Sequence, residues 1–268
     1  MKETKTYTLI TGGSAGIGYE LAKVFAEEAH NLILVARTEA DLQQVKTELE
    51  GAGINVITIA KDLFEPNAAF ELYQEIKSRQ LTVDILVNNA GQGEYGLFAE
   101  TDVNRELSIV QLNIASLIVL TKFFLQDMLE RGEGRILNLS SIASKTPGPW
   151  QAVYHGTKAF VQSFTEAVRS EVKEHNITVT ALLPGATDTD FFHKAGMESS
   201  KAVQDKSKLS DPADVARDGY KALMSGDDKV ISGLKNKMTV AASNMMSDQK
   251  AADTMKKQQE PVTTKTSL

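Results

Sequence analysis

A doubly wound α/β fold in a single domain, a parallel sheet of about seven strands flanked by helices on both faces, is what this sequence predicts, on three observations. Seven short runs rich in β-branched residues recur at 6–11, 31–36, 55–60, 84–90, 135–140, 178–184 and 229–232. Several, NLILVA among them, are almost continuously apolar rather than alternating, the pattern of strands covered on both faces. The intervening segments are long enough for crossover helices, which makes neighbouring strands parallel. With 268 residues and 42% hydrophobic content, the chain can bury one such core well and two only poorly.

Each element follows in order. TYTLIT (6–11) enters a glycine-rich turn and a helix over 17–29; NLILVA leads to a helix over 40–50, and NVITIA to one over 67–79. DILVNNA precedes a long helix over 104–130, and RILNLS a helix over 152–175. After TVTALLP the rhythm breaks: residues 186–210 are polar with Phe191 and Phe192 embedded, a long loop or broken helix of the kind that covers a site. A helix restarts at SDPADVARDGYKALMSG, with Ser210 or Asp211 as N-cap and Pro212 in its first turn, and KVIS closes the sheet. Residues 1–234 thus form the main domain and 235–268 a tail. The tail carries six lysines against three acids, and Met238, Ala241, Met245, Ala252 and Met255 recur at helical spacing in it. Its last stretch, QQEPVTTKTSL, reads as disordered.

Composition narrows the function. A net charge of -6 gives no basic field for nucleic acid or anionic lipid, so a small soluble ligand is the expected partner. The absence of cysteine removes disulfides, thiolate nucleophiles and Cys-based zinc sites, and the four histidines show no metal-binding spacing. The opening MKETKTYTLITGG reaches an apolar strand too soon for a secretory leader, which makes the cytoplasm the expected compartment. IASLIVLTKFFLQDML is interrupted by Lys122 and Gln126 and is expected as a buried helix, not a membrane span.

The turn TGGSAGIG, Thr11 to Gly18, lies between the first strand and the first helix. Its glycines allow a tight turn and close approach of a ligand to the backbone, and the helix N-terminus offers free N–H groups to a pyrophosphate. Gly12, Ser14, Ala15, Gly16, Ile17 and Gly18 are therefore expected to hold the phosphates of a dinucleotide in a Rossmann-type fold. After the second strand, where an acid would accept the ribose 2′-hydroxyl of NAD, the chain reads Ala36-Arg37. Arg37 suits a 2′-phosphate, a charge-assisted contact worth about 1.5–3 kcal/mol, so NADP(H) is expected over NAD(H).

In YHGTK, Tyr154 and Lys158 stand one helical turn apart on one face. A phenol near pKa 10 gives up its proton too reluctantly at neutral pH, whereas an ammonium about 4 Å away would lower it by roughly three units before desolvation. The pair is expected to act as acid and base. Taken together, TGGSAGIG, NNAG (88–91), Asn113, LNLSS (137–141), YHGTK and PGATDT (184–189) resemble, in order and spacing, the short-chain dehydrogenase/reductase family, in its compact single-domain branch.

That resemblance implies particular roles. Tyr154 would protonate a carbonyl oxygen in reduction, Lys158 would hold the nicotinamide ribose, and Ser141 would steady the developing oxyanion. Asn113 would kink its helix and hold a water relaying protons to Lys158. Asp62 would contact adenine, and Asn89, Ala90 and Gly91 would pass beside the adenine ribose. Pro184, Gly185, Thr187 and Thr189 would lie near the nicotinamide. Gly93, Tyr95, the stretch 146–153 with Trp150, Phe191 and Phe192 are expected to line the substrate pocket. The implied activity is hydride transfer between NADPH and a ketone or aldehyde, by a homodimer or homotetramer paired through the helices at 104–130 and 152–175. NAD-linked alcohol oxidation and a catalytically silent cofactor-binding protein are the alternatives.

Overall fold

The computed structural model describes residues 5–262. Strand β1 (Thr6–Thr11), helix α1 (Gly16–Glu27), β2 (Leu32–Ala36), α2 (Glu39–Leu49), β3 (Val56–Ala60), α3 (Ala68–Ser78) and β4 (Thr82–Asn88) form the first half. The second half contains α4 (Val103–Val110), α5 (Ser116–Arg131), β5 (Gly134–Leu139), α6 (Ala152–Val172) and β6 (Ile177–Leu183). It ends with α7 (Phe191–Lys194), α8 (Pro212–Ser225), β7 (Lys229–Ile231), α9 (Leu234–Ser243) and α10 (Asp248–Gln259). The seven strands form one sheet in the order β3-β2-β1-β4-β5-β6-β7, and every pair is parallel. The strand order reverses between β1 and β4, and a crevice opens there beyond the carboxyl ends of the strands.

Side chains alternate along each strand, so the sheet has two cores. In β1, Leu9 belongs to the core that packs α3, α5 and α6, through Leu72, Phe124 and Val168. Ile10 faces the other layer, where Leu21 and Phe25 of α1, Leu42 of α2 and Val215 of α8 close over it. The run Val103–Arg131 is long and apolar enough to cross a bilayer by length and composition. Here Leu117, Leu120, Phe124 and Met128 of that run are buried, which spends its apolar face on the sheet. A π-helical turn at Gln111–Ala115 interrupts this run, at the place of Asn113.

Caps follow the sequence. Asp211 accepts the backbone N–H of Ala213 at 2.8 Å and Pro212 starts α8. The 186–210 segment is a broken helix: α7, then short 3₁₀ turns at Lys201–Val203 and Lys206–Lys208.

The tail, expected to be helical or partly disordered, is helical over most of its described length. It forms two helices, and α10 continues to Gln259, after which Pro261 bridges Ser200. Lys201 pairs with Glu260, Val262 N donates to Ser199 O at 2.8 Å, and Ser200 Oγ donates to Gln259 O at 3.0 Å. These bonds strap the end of the chain to the 186–210 segment, and they explain why a polar stretch is ordered. Residues 263–268 of the stretch read as disordered lie outside the described residues.

Candidate active site

Two cavities meet at the carboxyl edge of the sheet. The larger, about 400 Å³, runs along the glycine turn past Arg37, Asp62 and Phe64. The smaller, about 220 Å³, is walled by Ser141, Tyr154 and Phe192, with α9 and α10 contributing Val240 and Gln259. Ile17, Asn89, Gly91, Leu139, Thr189 and Phe191 belong to both walls.

The glycine turn is built for backbone approach. Gly12 and Gly16 have φ of +66° and +54°, a region side chains avoid. A β-carbon on Gly18 would lie 2.1 Å from Gly12 O, so only glycine fits there. Ala15 caps α1 without a side-chain hydrogen bond, which leaves its first amides facing the larger cavity. Ser14, Ile17 and Gly18 line the same wall. A free helix N-terminus, a cradle that a β-carbon would fill and an elongated crevice fit a dinucleotide pyrophosphate.

Arg37 is exposed on this crevice, its guanidinium 5.6 Å from the Phe64 ring centroid. Arg105 approaches the same ring at 5.3 Å. Glu39, the residue best placed in sequence to neutralise Arg37, instead accepts from Gln43 Nε2 at 2.6 Å and Thr58 Oγ1 at 3.3 Å. Asp62 lines the crevice but also accepts Phe64 N–H at 3.1 Å, so part of its carboxylate holds the local turn.

In NNAG, Asn88 is structural: its Nδ2 donates to Asn138 Oδ1 at 2.9 Å and Thr121 Oγ1 at 3.0 Å, tying β4 to β5 and α5. Asn89 donates to Thr11 O at 2.9 Å and Gly12 O at 3.2 Å, which fixes the glycine turn from behind. Ala90 and Gly91 complete that wall of the crevice. On the opposite side Thr189 touches the turn, its Cγ2 3.1 Å from where a Gly16 β-carbon would stand. Thr187 Oγ1 donates to Gly185 O at 3.0 Å, and Pro184 O accepts Ile142 N–H at 3.0 Å. All four residues from the PGATDT stretch line the smaller cavity.

Tyr154 and Lys158 project from α6 into that cavity. Lys158 is 4% exposed and donates to Leu139 O at 2.7 Å; its Nζ lies 5.9 Å from the Tyr154 ring centroid. Burial lowers the ammonium to about 8, still mostly protonated at neutral pH. Burial likewise pushes the Tyr154 phenol up to about 12, and the neighbouring Ser141 hydroxyl pulls it the other way. This corrects the expectation that Lys158 depresses the phenol. Desolvation outweighs the hydrogen bond from Ser141.

Ser141 Oγ accepts Ala143 N–H at 3.1 Å and donates to Pro184 O at 3.4 Å, and it faces the cavity. Ser140 is in the same wall, but its hydroxyl is committed to Lys158 O, to which it donates at 2.9 Å. Asn113 is 2% exposed, and its side chain clamps Gln92 in both directions, accepting N–H at 3.0 Å and donating to O at 2.9 Å. Its remaining donor meets Thr157 Oγ1 at 2.9 Å. Its Oδ1 and Lys158 Nζ stand 3.4 and 3.2 Å from the position a Gly91 β-carbon would take. The side chain expected to hold a relay water is thus spent largely on the main chain of Gln92.

The expected pocket residues divide. Phe191 and Phe192 line the smaller cavity, and Phe191 packs 5.2 Å from Tyr154. Gly93 leaves room for both: a β-carbon there would stand 3.0 Å from Phe191 Cζ and 3.3 Å from Tyr154 Cδ2. Tyr95 and Trp150 lie outside the lining, stacked on each other at 5.6 Å, and the Tyr95 hydroxyl donates to Gln259 O. Tyr95 thereby holds the end of α10. Gln151 lines the cavity, from the stretch 146–153 that was expected to face it; His155, Met197, Val240, Met255 and Gln259 line it without having been anticipated. For the tail residues no motif could have signalled it, because their position depends on the strap.

An all-parallel sheet with this strand order, a nucleotide-shaped crevice at its switch point and a Ser–Tyr–Lys cluster where the crevice meets an apolar cavity define a nicotinamide-dependent oxidoreductase architecture. The chain belongs to the short-chain dehydrogenase family, whose model matches residues 6–199. It is 32% identical over 237 residues to the dehydrogenase/reductase SDR family member 7B of Danio rerio, covering 84% of this chain and 77% of that protein. It is 29% identical over 240 residues to the ketoacyl reductase HetN of Nostoc sp., covering 89% and 82%. The solved short-chain dehydrogenase from Sphingobium yanoikuyae in complex with NADPH superposes with a TM-score of 0.78 at 27% identity, covering 91% of this chain and 95% of that one.

Proposed function

We propose that the chain is an NADPH-dependent reductase of ketones or aldehydes. Bound NADPH supplies the hydride to the carbonyl carbon, Tyr154 gives its proton to the carbonyl oxygen, and the products are the alcohol and NADP⁺. The observation that carries this reading is geometric: Ser141, Tyr154 and Lys158 line one cavity, and that cavity shares the Gly91 and Thr189 wall with the crevice along the glycine turn. The same phenol would take the proton back in the reverse reaction, so the residues serve both directions and the choice of reduction rests on the NADP(H) preference. Ser141 orients the substrate oxygen, and Lys158 presents positive charge from beneath.

The NADP(H) preference rests on Arg37, which faces the crevice beside Phe64 and leaves Glu39 to other partners. The glycine turn, with Ala90 and Gly91, would hold the rest of the nucleotide. The negative net charge supports a small carbonyl compound as partner rather than nucleic acid or membrane. Exposed Phe98, Val103 and Leu107 along and before α4 support a homodimer or homotetramer joined there.

A panel of carbonyl compounds with NADPH, followed at the nicotinamide absorbance, tests the activity. The expected result is turnover that falls about 10²–10⁴-fold in Tyr154→Phe, the contribution of a positioned acid. Full turnover in that variant would remove the phenol from the reaction. Titration of NADPH and NADH tests the preference: Arg37→Ala should weaken NADPH by about tenfold to 150-fold and leave NADH nearly unchanged.

A further inference from the structure

One wall of the smaller cavity carries a polar chain that the proposed reduction does not use. His155 is 5% exposed, and its Nδ1 lies 2.8 Å from Thr146 O. A carbonyl only accepts, so Nδ1 bears the proton and Nε2 is left as an acceptor. Burial lowers the imidazole below its ordinary range, which keeps it neutral. Gln259 Nε2 then donates to His155 Nε2 at 3.2 Å and to Gln151 Oε1 at 3.4 Å. Each step fixes the next, and the direction of both amides follows from one main-chain carbonyl.

Two ends of this chain remain open. Gln151 Nε2 and Gln259 Oε1 are buried without a hydrogen-bond partner, in residues 4% and 5% exposed, and both residues line the cavity. Buried polar groups are ordinarily paired, because an unmade bond costs the full desolvation of the group. Gln151 Nε2 and Tyr154 Cδ2 each stand 3.3 Å from the position a Gly93 β-carbon would take, so the free donor neighbours the phenol ring. Trp150, at the turn that delivers Gln151, has a φ of +72°, a conformation bulky residues rarely adopt. Phe191, Phe192, Met197, Val240 and Met255 make much of the remaining wall apolar, and among the described residues Lys158 is its one cation.

We propose that Gln151 and Gln259 form a polar subsite that recognises a second neutral group, a hydroxyl or second carbonyl a few bonds from the reacting one, on an otherwise apolar substrate. The subsite rests on the reductase reading and names its substrate class. A free amide donor and a free amide acceptor match a neutral group that accepts, donates or does both. They do not offer a carboxylate the countercharge it would need on leaving water.

The test is a calorimetric titration of the protein loaded with NADP⁺, which binds ketones without turning them over. The probes are 2-octanone, 2,4-octanedione and 3-oxooctanoate. The dione should bind about three- to tenfold more tightly than the monoketone, the increment of one or two hydrogen bonds, and the carboxylate no more tightly than the monoketone. In Gln151→Leu and, separately, Gln259→Leu, the ratio of dione to monoketone affinity should fall to about one. The two residues sit on different elements, and a thermal melt identifies a variant that has lost its fold, so either alone can decide. Equal binding of both ketones by the unaltered protein would overturn the subsite. So would a preference that survives both substitutions, a carboxylate bound more tightly than the dione, or no binding of either ketone. Because no turnover is read, this result and the Tyr154→Phe result can fail independently.

Discussion

At the scale of single residues, burial and charge compete in this site, and burial wins for both members of the Tyr154–Lys158 pair. Lys158 costs the fold stability. Its folded pKa, about 8, lies below the ordinary 10.5, so between those values the unfolded chain binds more protons and stability rises with pH. At neutral pH the charged form is therefore the less favourable one inside the protein. Replacing it with an apolar group of similar length removes that penalty but leaves Leu139 O without its donor. Lys158→Met is expected to raise the thermal midpoint at pH 7 by a few degrees, a net gain of about 1 kcal/mol, while reducing turnover at least tenfold. The gain should shrink as pH rises from 8 toward 10.5. Melting curves at pH 7 and 10 check this; a midpoint that falls at pH 7 would mean the Leu139 hydrogen bond outweighs the desolvation.

At the scale of elements, the glycine turn and the start of α1 form a unit in which backbone, not side chains, sets the geometry. Gly18 packs against the carbonyl of Gly12 and the Asn89 amide, and Asn89 in turn holds the carbonyls of Thr11 and Gly12. A methyl group at position 18 would sit 2.1 Å from a main-chain oxygen that cannot move without opening this clamp. Gly18→Ala should therefore destabilise the fold by about 1–3 kcal/mol, as overpacking does, and weaken NADPH binding at least tenfold. Chemical denaturation and nucleotide titration measure the two effects separately. The π turn in the 103–131 run is a second such unit: it seats Asn113 where its amide can bond both backbone groups of Gln92. The motif spacing indicated where Asn113 would lie. Its partners were not legible, because Gln92 approaches only when β4 and the π turn are packed together.

At the scale of the whole molecule, the exposed apolar side chains of Val103 and Leu107, at 64% and 61%, lie one turn apart on α4, away from the sheet. Self-association through this face predicts a solution mass of two or four chains, and Leu107→Glu should shift it toward the single chain in a light-scattering measurement without changing the melting midpoint by more than a few degrees. A monomeric mass for the unaltered protein would leave the face without that role. The seven strands, their parallel order and the glycine turn were legible in the sequence because continuous β-branched runs and glycines act locally, and each predicted strand lies within about two residues of the observed one. The Tyr154–Lys158 spacing on one helix face was legible for the same reason. Tertiary structure alone decided the protonation tendencies of that pair, since burial is a property of everything packed around a group. It also decided the removal of Tyr95 and Trp150 from the pocket, and the use of α9 and α10 as its wall. The polar end of the chain is ordered by bonds to Tyr95, Ser199, Ser200 and Lys201, residues more than fifty positions away, and local hydropathy carries no trace of contacts made across that separation.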